Sequence, residues 1–252
     1  MTNMTNPKVS VIMPIYNAEK FVEGAIKSVL EQDYRDYELI ILDNASDDGT
    51  RECIEKFKDP RIRKIFHNTN IGMVDNFNYG INLSRGEFGV ILCSDDYFCD
   101  GFLSKSIANH GNSSCLTFTN SRIHRGENIS IYENVFSGSK RVTKFNLALH
   151  LHGVPLSSLM FPLKIKKELF DKRLPFNCDL EFIFRQMILN NLDLKFIDEP
   201  LVGVNLHDAN QTLNYDITNE NLKLLGIVQS YTPFGFLKLF LNFRSKRLLK
   251  CV

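Results

Sequence analysis

The sequence predicts an α/β fold: an open, mostly parallel sheet flanked by helices. Three observations predict it. Short β-branched runs alternate with stretches of helical apolar spacing, in the order β-α-β-α-β-α-β over about the first hundred residues. The run "YELIIL" (37–42) is apolar almost throughout, the mark of a strand covered on both faces as in a parallel sheet. The segments that follow the apolar runs ("PIYN", "DNASDDGT", "HNTNIG" and "SDD") collect acids and amides, as loops do where ligands bind at the carboxyl ends of strands.

The elements follow in order. "KVSVIM" (8–13) is a β-branched run ending at Pro14 and predicts a strand. In "NAEKFVEGAIKSVLEQ" the apolar pairs Phe21/Val22, Ala25/Ile26 and Val29/Leu30 recur at helical spacing, with Asn17 as the expected cap. After the strand at 37–42, "DDGTRECIEKFK" predicts a second helix and "RIRKIFH" (61–67) a third strand. "MVDNFNYGINLS" places Val74, Phe77 and Ile81 on one helical face, and "EFGVILC" (87–93) predicts a fourth strand. Beyond it, residues 100–110 predict a helix and "SCLTFT" (114–119) a strand, and residues 120–150 have no clear pattern. "DLEFIFRQMILNN" (179–191) predicts an amphipathic helix, and "LKFI" and "LVGVNL" predict two short strands. "TPFGFLKLFLNFRSKRLLK" predicts a closing helix that is apolar and basic. No internal repeat or low-complexity linker divides the chain, so both halves are expected to share one sheet.

Composition narrows the function classes. The 252 residues are long enough to bury a sizeable core, and 44% hydrophobic with 23% charged residues is ordinary for a globular protein. A net charge of +1 gives no general attraction to nucleic acid, so no nucleic-acid partner is expected. The six cysteines form no Cys-x-x-Cys pair, and the polar start "MTNMTNPK" lacks a signal peptide's apolar core, which predicts reduced thiols and a cytoplasmic location. No apolar run reaches the roughly 18 residues of a membrane span.

The loops contain neither a Gly-x-Gly-x-x-Gly nor a Walker motif, which argues against a dinucleotide oxidoreductase or a P-loop NTPase. "NASDDGTRECIE" (44–55) imitates a calcium loop, but it begins with Asn44 rather than Asp and follows a strand rather than a helix. Asp95 and Asp96 are adjacent carboxylates at the end of a buried-type strand. They either hold a divalent cation or cap the next helix. The neighbouring acidic loops favour the cation, and oxygen donors suit Mg²⁺ or Mn²⁺ together with phosphate oxygens.

The series "VSVIMPIYNAEKFVEGAIKSVLEQ", "YELIILDNASDDGT", "NIGMVDNFNYGINLSRGEF" and "ILCSDD" resembles the inverting family-2 glycosyltransferases of the GT-A fold. The resemblance continues more loosely through "PFNCDLEFIFRQMI" and "FIDEPLVGVNLHDANQT" to about residue 212. It implies that Pro14, Tyr16, Asn17, Asp43, Asn70, Gly72 and Asp95 bind a nucleotide-diphospho-sugar, with Asp43 at the base. It implies that Asp95, Asp96 and His207 surround the metal. Many relatives carry Asp where this chain has Cys93, which bears on metal affinity.

The resemblance also makes Asp179, six residues before Arg185, the catalytic base, with Glu181 as the fallback. Its place at a helix N-terminus predicts a stabilised anion. Residues 1–99 are then the donor half, 100–212 the acceptor and catalytic half with "GVPLSS" (153–158) walling the acceptor pocket, and 213–252 a basic, amphipathic extension. Residues 231–250 are expected to lie on a membrane surface, near a glycan or lipid-linked glycan acceptor. Two other readings stay open: a non-catalytic nucleotide-sugar-binding subunit, which Cys93 favours, and a nucleotidyltransferase, which "PIYNAEK" fits poorly.

Overall fold

The computed structural model describes residues 6–110, 115–132, 154–165, 169–207 and 218–231. Three β-α repeats and a fourth strand come first: β1 (Val9–Ile15), α1 (Val22–Leu30), β2 (Tyr37–Asp43), α2 (Thr50–Glu55), β3 (Ile62–Phe66), α3 (Met73–Leu83) and β4 (Phe88–Ile91). Then come β5 (Tyr97–Phe98), α4 (Phe102–His110), β6 (Cys115–Arg125), β7 (Asn128–Tyr132) and β8 (Met160–Pro162). The described chain closes with α5 (Cys178–Leu189), β9 (Asp193–Leu206) and α6 (Thr218–Tyr231). The closing helix expected at 232–250, and most of the unassigned 120–150 stretch, lie outside the described residues.

The strands form one nine-stranded sheet in the order β3-β2-β1-β4-β8-β6-β9-β5, with β7 paired to β6. Both halves share it, as expected. The first four strands are parallel, because each crossover runs through a helix. Beyond β4 the sheet is mixed: β8 runs antiparallel to β4 and β6, while β6 and β9 are parallel.

The near-continuous apolar runs supply both faces. Val9, Val11 and Met13 of β1 pack with Val22, Ile26 and Val29 of α1. Ile12 of β1, with Ile40 and Leu42 of β2, packs with Phe77 and Ile81 of α3. Because side chains alternate along a strand, each buried run feeds two separate cores. β1 lies between β2 and β4, so the connections on either side of it leave in opposite directions. That reversal opens a crevice above the carboxyl ends of β1 and β4.

Two local expectations change. α1 starts at Val22, after Phe21 and without a side-chain cap. Asn17 does not cap it: the residue takes a φ of 51° and its amide bonds Asp47 instead. "LKFI" and "LVGVNL" are one strand, β9, rather than two. The interruption Asp198-Glu199-Pro200 is absorbed by register shifts opposite Thr119, Asn120 and Ser121. A bulge of this kind tolerates the missing proline N–H within a long strand.

Helix α3 approaches the sheet closely at Gly80. A methyl group there would stand 2.4 Å from Ile12 Cγ2 and 2.5 Å from Leu42 Cδ1. Alanine in a helix interior gains about 0.5–1 kcal/mol over glycine, but overfilling a packed core costs about 1–3 kcal/mol. Crowding wins here, because both neighbours are core side chains on strands. Gly80→Ala is predicted to lower stability by about 1–2 kcal/mol in urea unfolding. A stability equal to or above wild type would show that α3 can slide away from the sheet.

Candidate active site

The loops after β1 and β2 are joined before any ligand arrives. Asn17 Nδ2 donates to Asp47 Oδ1 at 2.7 Å, and Asp47 N returns a bond to Asn17 Oδ1 at 3.1 Å. Ala18 N donates to Thr50 Oγ1 and Glu19 N to Asp48 Oδ2. Tyr16 projects from this rim, 44% exposed, whereas Pro14 is buried within β1. The imitation calcium loop is thereby accounted for, since Asp47 and Asp48 accept hydrogen bonds from the neighbouring loop.

Asp43, at the end of β2, is fully buried. Arg51 Nε donates to its Oδ2 at 2.6 Å, and Arg51 Nη2 donates to the His67 carbonyl at 2.7 Å. Arg51 stays 40% exposed and lies over the Phe66 ring. The surface offered to a ligand here is therefore the guanidinium, with Asp43 beneath it. Asn70 and Gly72 stand next to this pair. Asn70 Oδ1 accepts from Asn44 Nδ2 and from Gly72 N, both at 2.9 Å. Gly72 has a φ of 90°, and a Cβ there would meet nothing within 4 Å, so backbone conformation is what requires glycine.

Beyond β4 the chain brings Cys93, Asp95 and Asp96 together, with their ligand atoms all within 4.8 Å of one another. Asp96 is buried, and Ser157 Oγ donates to its Oδ2 at 2.5 Å. The same hydroxyl accepts from Cys93 N at 3.1 Å. Burial, and then the charge of Asp95, push the Asp96 carboxyl well above the usual range, while Ser157 and the Asn205 backbone pull it back. Burial followed by the two carboxylates likewise pushes the Cys93 thiol up.

β9 completes the cluster. Asn205 Nδ2 donates to the Asp95 carbonyl. His207 Nε2 lies 3.3 Å from Asp95 Oδ2, and its ring stacks on Phe21 at 4.6 Å. Asp95 and Asp96 also line a groove of about 380 Å³ beside α1, with Lys20, Phe21 and Asn205. Two carboxylates this close together, open on one side and with a histidine at hand, fit a single oxygen-liganded divalent cation.

Asp179 sits in the first turn of α5. Leu180 N donates to its Oδ1 at 2.7 Å, as a helix N-terminus permits. The expected stabilised anion is nonetheless overturned: desolvation outweighs these backbone bonds and pushes the carboxyl up to about 6. Part of the residue's surface stays open, and desolvation leaves its carboxyl basic. The charge of Asp179 also acts on the Cys93 thiol, which sets it on the same side as the acid pair. Glu181, the fallback, is fully buried and occupied. Arg185 Nε donates to it at 2.8 Å, and Tyr231 Oη donates to the same oxygen. That geometry suits a brace better than a base.

Ser157, Arg51 and Asn205 were not anticipated. Their partners lie 61, 8 and 110 residues away in the chain. Of "GVPLSS", Ser157 sits on the acid pair.

A family model described as glycosyl transferase family 2 matches residues 10–192. A GalNAc(5)-diNAcBac-PP-undecaprenol beta-1,3-glucosyltransferase from Campylobacter jejuni is 36% identical over 128 residues, 49% of this chain and 41% of that protein. The chain thus spans less than half the length of this curated relative. Among solved structures, S. aureus TarS 1-349 in complex with UDP-GlcNAc is similar, with a TM-score of 0.74 and 20% identity over 88% of this chain and 66% of that one. The mannosyltransferase PcManGT from Pyrobaculum calidifontis, in complex with GDP-Man and Mn²⁺, has a TM-score of 0.65 and 16% identity over 89% and 64%. At such identities the likeness shows the fold, which is the expected GT-A type.

The Asp43–Arg51 pair yields a test of how the loop after β2 is held. Arg51→Ala strands a buried carboxylate, and because the guanidinium is part-exposed the loss is set below that of a fully buried pair, at about 1–3 kcal/mol. Asp43→Asn combined with Arg51→Ala should recover part of it in a double-mutant cycle of urea midpoints. Additive losses would show that the two side chains act independently.

Proposed function

Because the chain belongs to glycosyl transferase family 2, we propose that it moves a sugar from a nucleotide-diphospho-sugar to an acceptor hydroxyl, with inversion. The observation that carries this reading is the pairing of two sites at one crevice. An acid pair fit for a cation ends β4, and a carboxyl made basic by burial begins α5. The donor lies across residues 1–99. Its base rests among Tyr16, Asn17, Arg51 over Asp43, Asn70 and Gly72, and its diphosphate lies at Asp95. Asp95 and Asp96, with His207 beside them, would hold Mg²⁺ or Mn²⁺, which would supply positive charge against the leaving diphosphate.

Asp179 takes the proton of the acceptor hydroxyl. The hydroxyl oxygen bonds to the anomeric carbon as the bond from that carbon to the diphosphate oxygen breaks on the opposite face, which inverts the configuration. The acceptor lies against residues 100–212. The Campylobacter relative's name carries a diphospho-undecaprenol acceptor, which supports a lipid-linked glycan here and a role in surface-polysaccharide synthesis.

A thermal-shift panel of nucleotide sugars with Mn²⁺ selects the donor, and release of nucleoside diphosphate then measures turnover. Wild type should turn over, and excess chelator should abolish it. Asp179→Asn should lose about 10²–10⁴-fold in rate with donor binding kept. The base must be ionised, so the rate should rise with pH through about 6. The stability effect has the opposite sign. The folded carboxyl lies above its ordinary value of 3.8, so the folded state holds the proton more tightly than the unfolded chain does. Its contribution is full below 3.8 and lost as pH rises through about 6. Asp179→Asn should therefore be more stable than wild type at pH 8, by about 1–3 kcal/mol, and nearly equal to it at low pH. Unchanged turnover in Asp179→Asn would sink the base role. A wild type that binds donor without turnover would favour the binding-subunit reading.

Among the described residues no helix is long and apolar enough to cross a membrane. Residues 232–250, almost all of the stretch read as membrane-docking, lie outside the described residues. We assign that stretch a peripheral contact with the inner face of the membrane from its sequence, in which Phe236, Phe240 and Phe243 alternate with Lys238, Arg244, Lys246 and Arg247. Co-sedimentation with anionic vesicles should be salt-sensitive and should disappear in a chain ending at residue 231. Equal binding by both chains, or none by either, ends the idea.

A further inference from the structure

Helix α6 begins beyond residue 192, where the family match stops, yet it reaches back to the catalytic helix twice. Tyr231, at its end, donates to Glu181. Glu220, in its first turn, is 2% exposed, and its Oε1 accepts from both Phe176 N and Asn177 N at 2.7 Å. Those two N–H groups belong to the turn that leads into α5, two and three residues before Asp179. Leu224 and Val228 fasten α6 into the core beside α5.

The other oxygen of Glu220 distinguishes it from an ordinary cap. Oε2 is buried without a hydrogen-bond partner among the described residues. A glutamine would accept the same two bonds and would bury no charge. A glutamate with one idle oxygen, set beside a second carboxyl, costs stability and contributes only negative charge.

We propose that Glu220 is a positioning residue for Asp179: it latches the turn into α5 and sets a negative charge beside the base. This rests on the reading of Asp179 as the base. The charge favours the protonated form of Asp179, so the carboxylate takes up a proton more readily than an isolated one would. Among the described residues, the titratable groups around Asp179 are Glu220 from α6, Cys178 from α5 itself and Cys93 from the end of β4. Burial holds both thiols protonated, so neither adds a charge.

The test compares Glu220→Gln and Glu220→Ala in the full chain. The glutamine keeps the acceptor and removes the charge. It should keep the melting temperature and the donor KM, move the acidic limb of the rate profile to lower pH, and lower kcat several-fold. The alanine frees the turn and should lower kcat by about 10²-fold through misplacement, with donor KM within about twofold of wild type. Carboxyl ¹³C NMR reads Asp179 without activity, metal or donor, its signal assigned by loss in Asp179→Asn. Its midpoint should fall in Glu220→Gln. A midpoint and a rate profile that stay at their wild-type positions in Glu220→Gln overturn the proposal. Failure of the base assignment shows separately, as a fully active Asp179→Asn variant, whatever the NMR midpoints do.

Discussion

Burial of negative charge above the carboxyl end of β4 is the constraint around which the rest of the structure is arranged. Three other buried acids meet an arginine: Glu38 meets Arg63 at 2.7 Å, Asp43 meets Arg51 at 2.6 Å and Glu181 meets Arg185 at 2.8 Å. Asp96 is held differently, by a serine hydroxyl and a backbone N–H, with a second carboxylate as its neighbour. Neutral donors soften the desolvation cost without cancelling the charge. A group left in that condition accepts either a proton or a cation. The second half of the fold serves this one place. The turn ahead of β8 delivers Ser157, β9 delivers Asn205 and His207, and α5 delivers Asp179.

The topology explains why four distant segments meet there. β4 lies at the centre of the strand order and β5 at its far end, although only five residues separate them. The chain can make that short step only because the sheet curls round until β5 lies against α1. Ser28 and Gln32, one on α1 and one just beyond it, hold the β5 segment through Phe98 N and the Cys99 carbonyl. The residues between the two strands are Leu92 to Asp96. They bridge the mouth of the curled sheet, which gives the acid pair its open groove on one side and its buried serine on the other.

The first half of this arrangement was legible in the sequence because its determinants are local. β-branched runs, helical spacing and loop composition each act over fewer than about 15 residues, and the four strand-end loops follow at once. Asp95 and Asp96 were singled out by their position after a strand, and His207 by the family resemblance. What was not legible depends on which side chains the fold brings into contact. Nothing near Ser157 marks it as the residue that holds Asp96, and nothing near Arg51 announces that it covers Asp43. The sign of the shift at Asp179 was misjudged because the helix N-terminus is visible in sequence and the burial around it is not. The interruption Asp198-Glu199-Pro200 read as a gap between strands because a bulge depends on the partner strand, β6.

Basicity and instability at Asp179 have one physical cause. Desolvation raises the carboxyl's affinity for a proton, and the same desolvation makes its ionised form costly to the fold. A cheaper arrangement was within reach two residues away, where Glu181 is paired with Arg185 and Tyr231. One helix turn therefore carries two carboxylates with opposite fates, one neutralised to anchor the helix and one without a cationic partner among the described residues. The anchor for both comes from α6, through Tyr231 at one end and Glu220 at the other. The unit that anchors this helix turn is thus larger than the stretch that matches the family, because Tyr231 and Glu220 lie beyond residue 192.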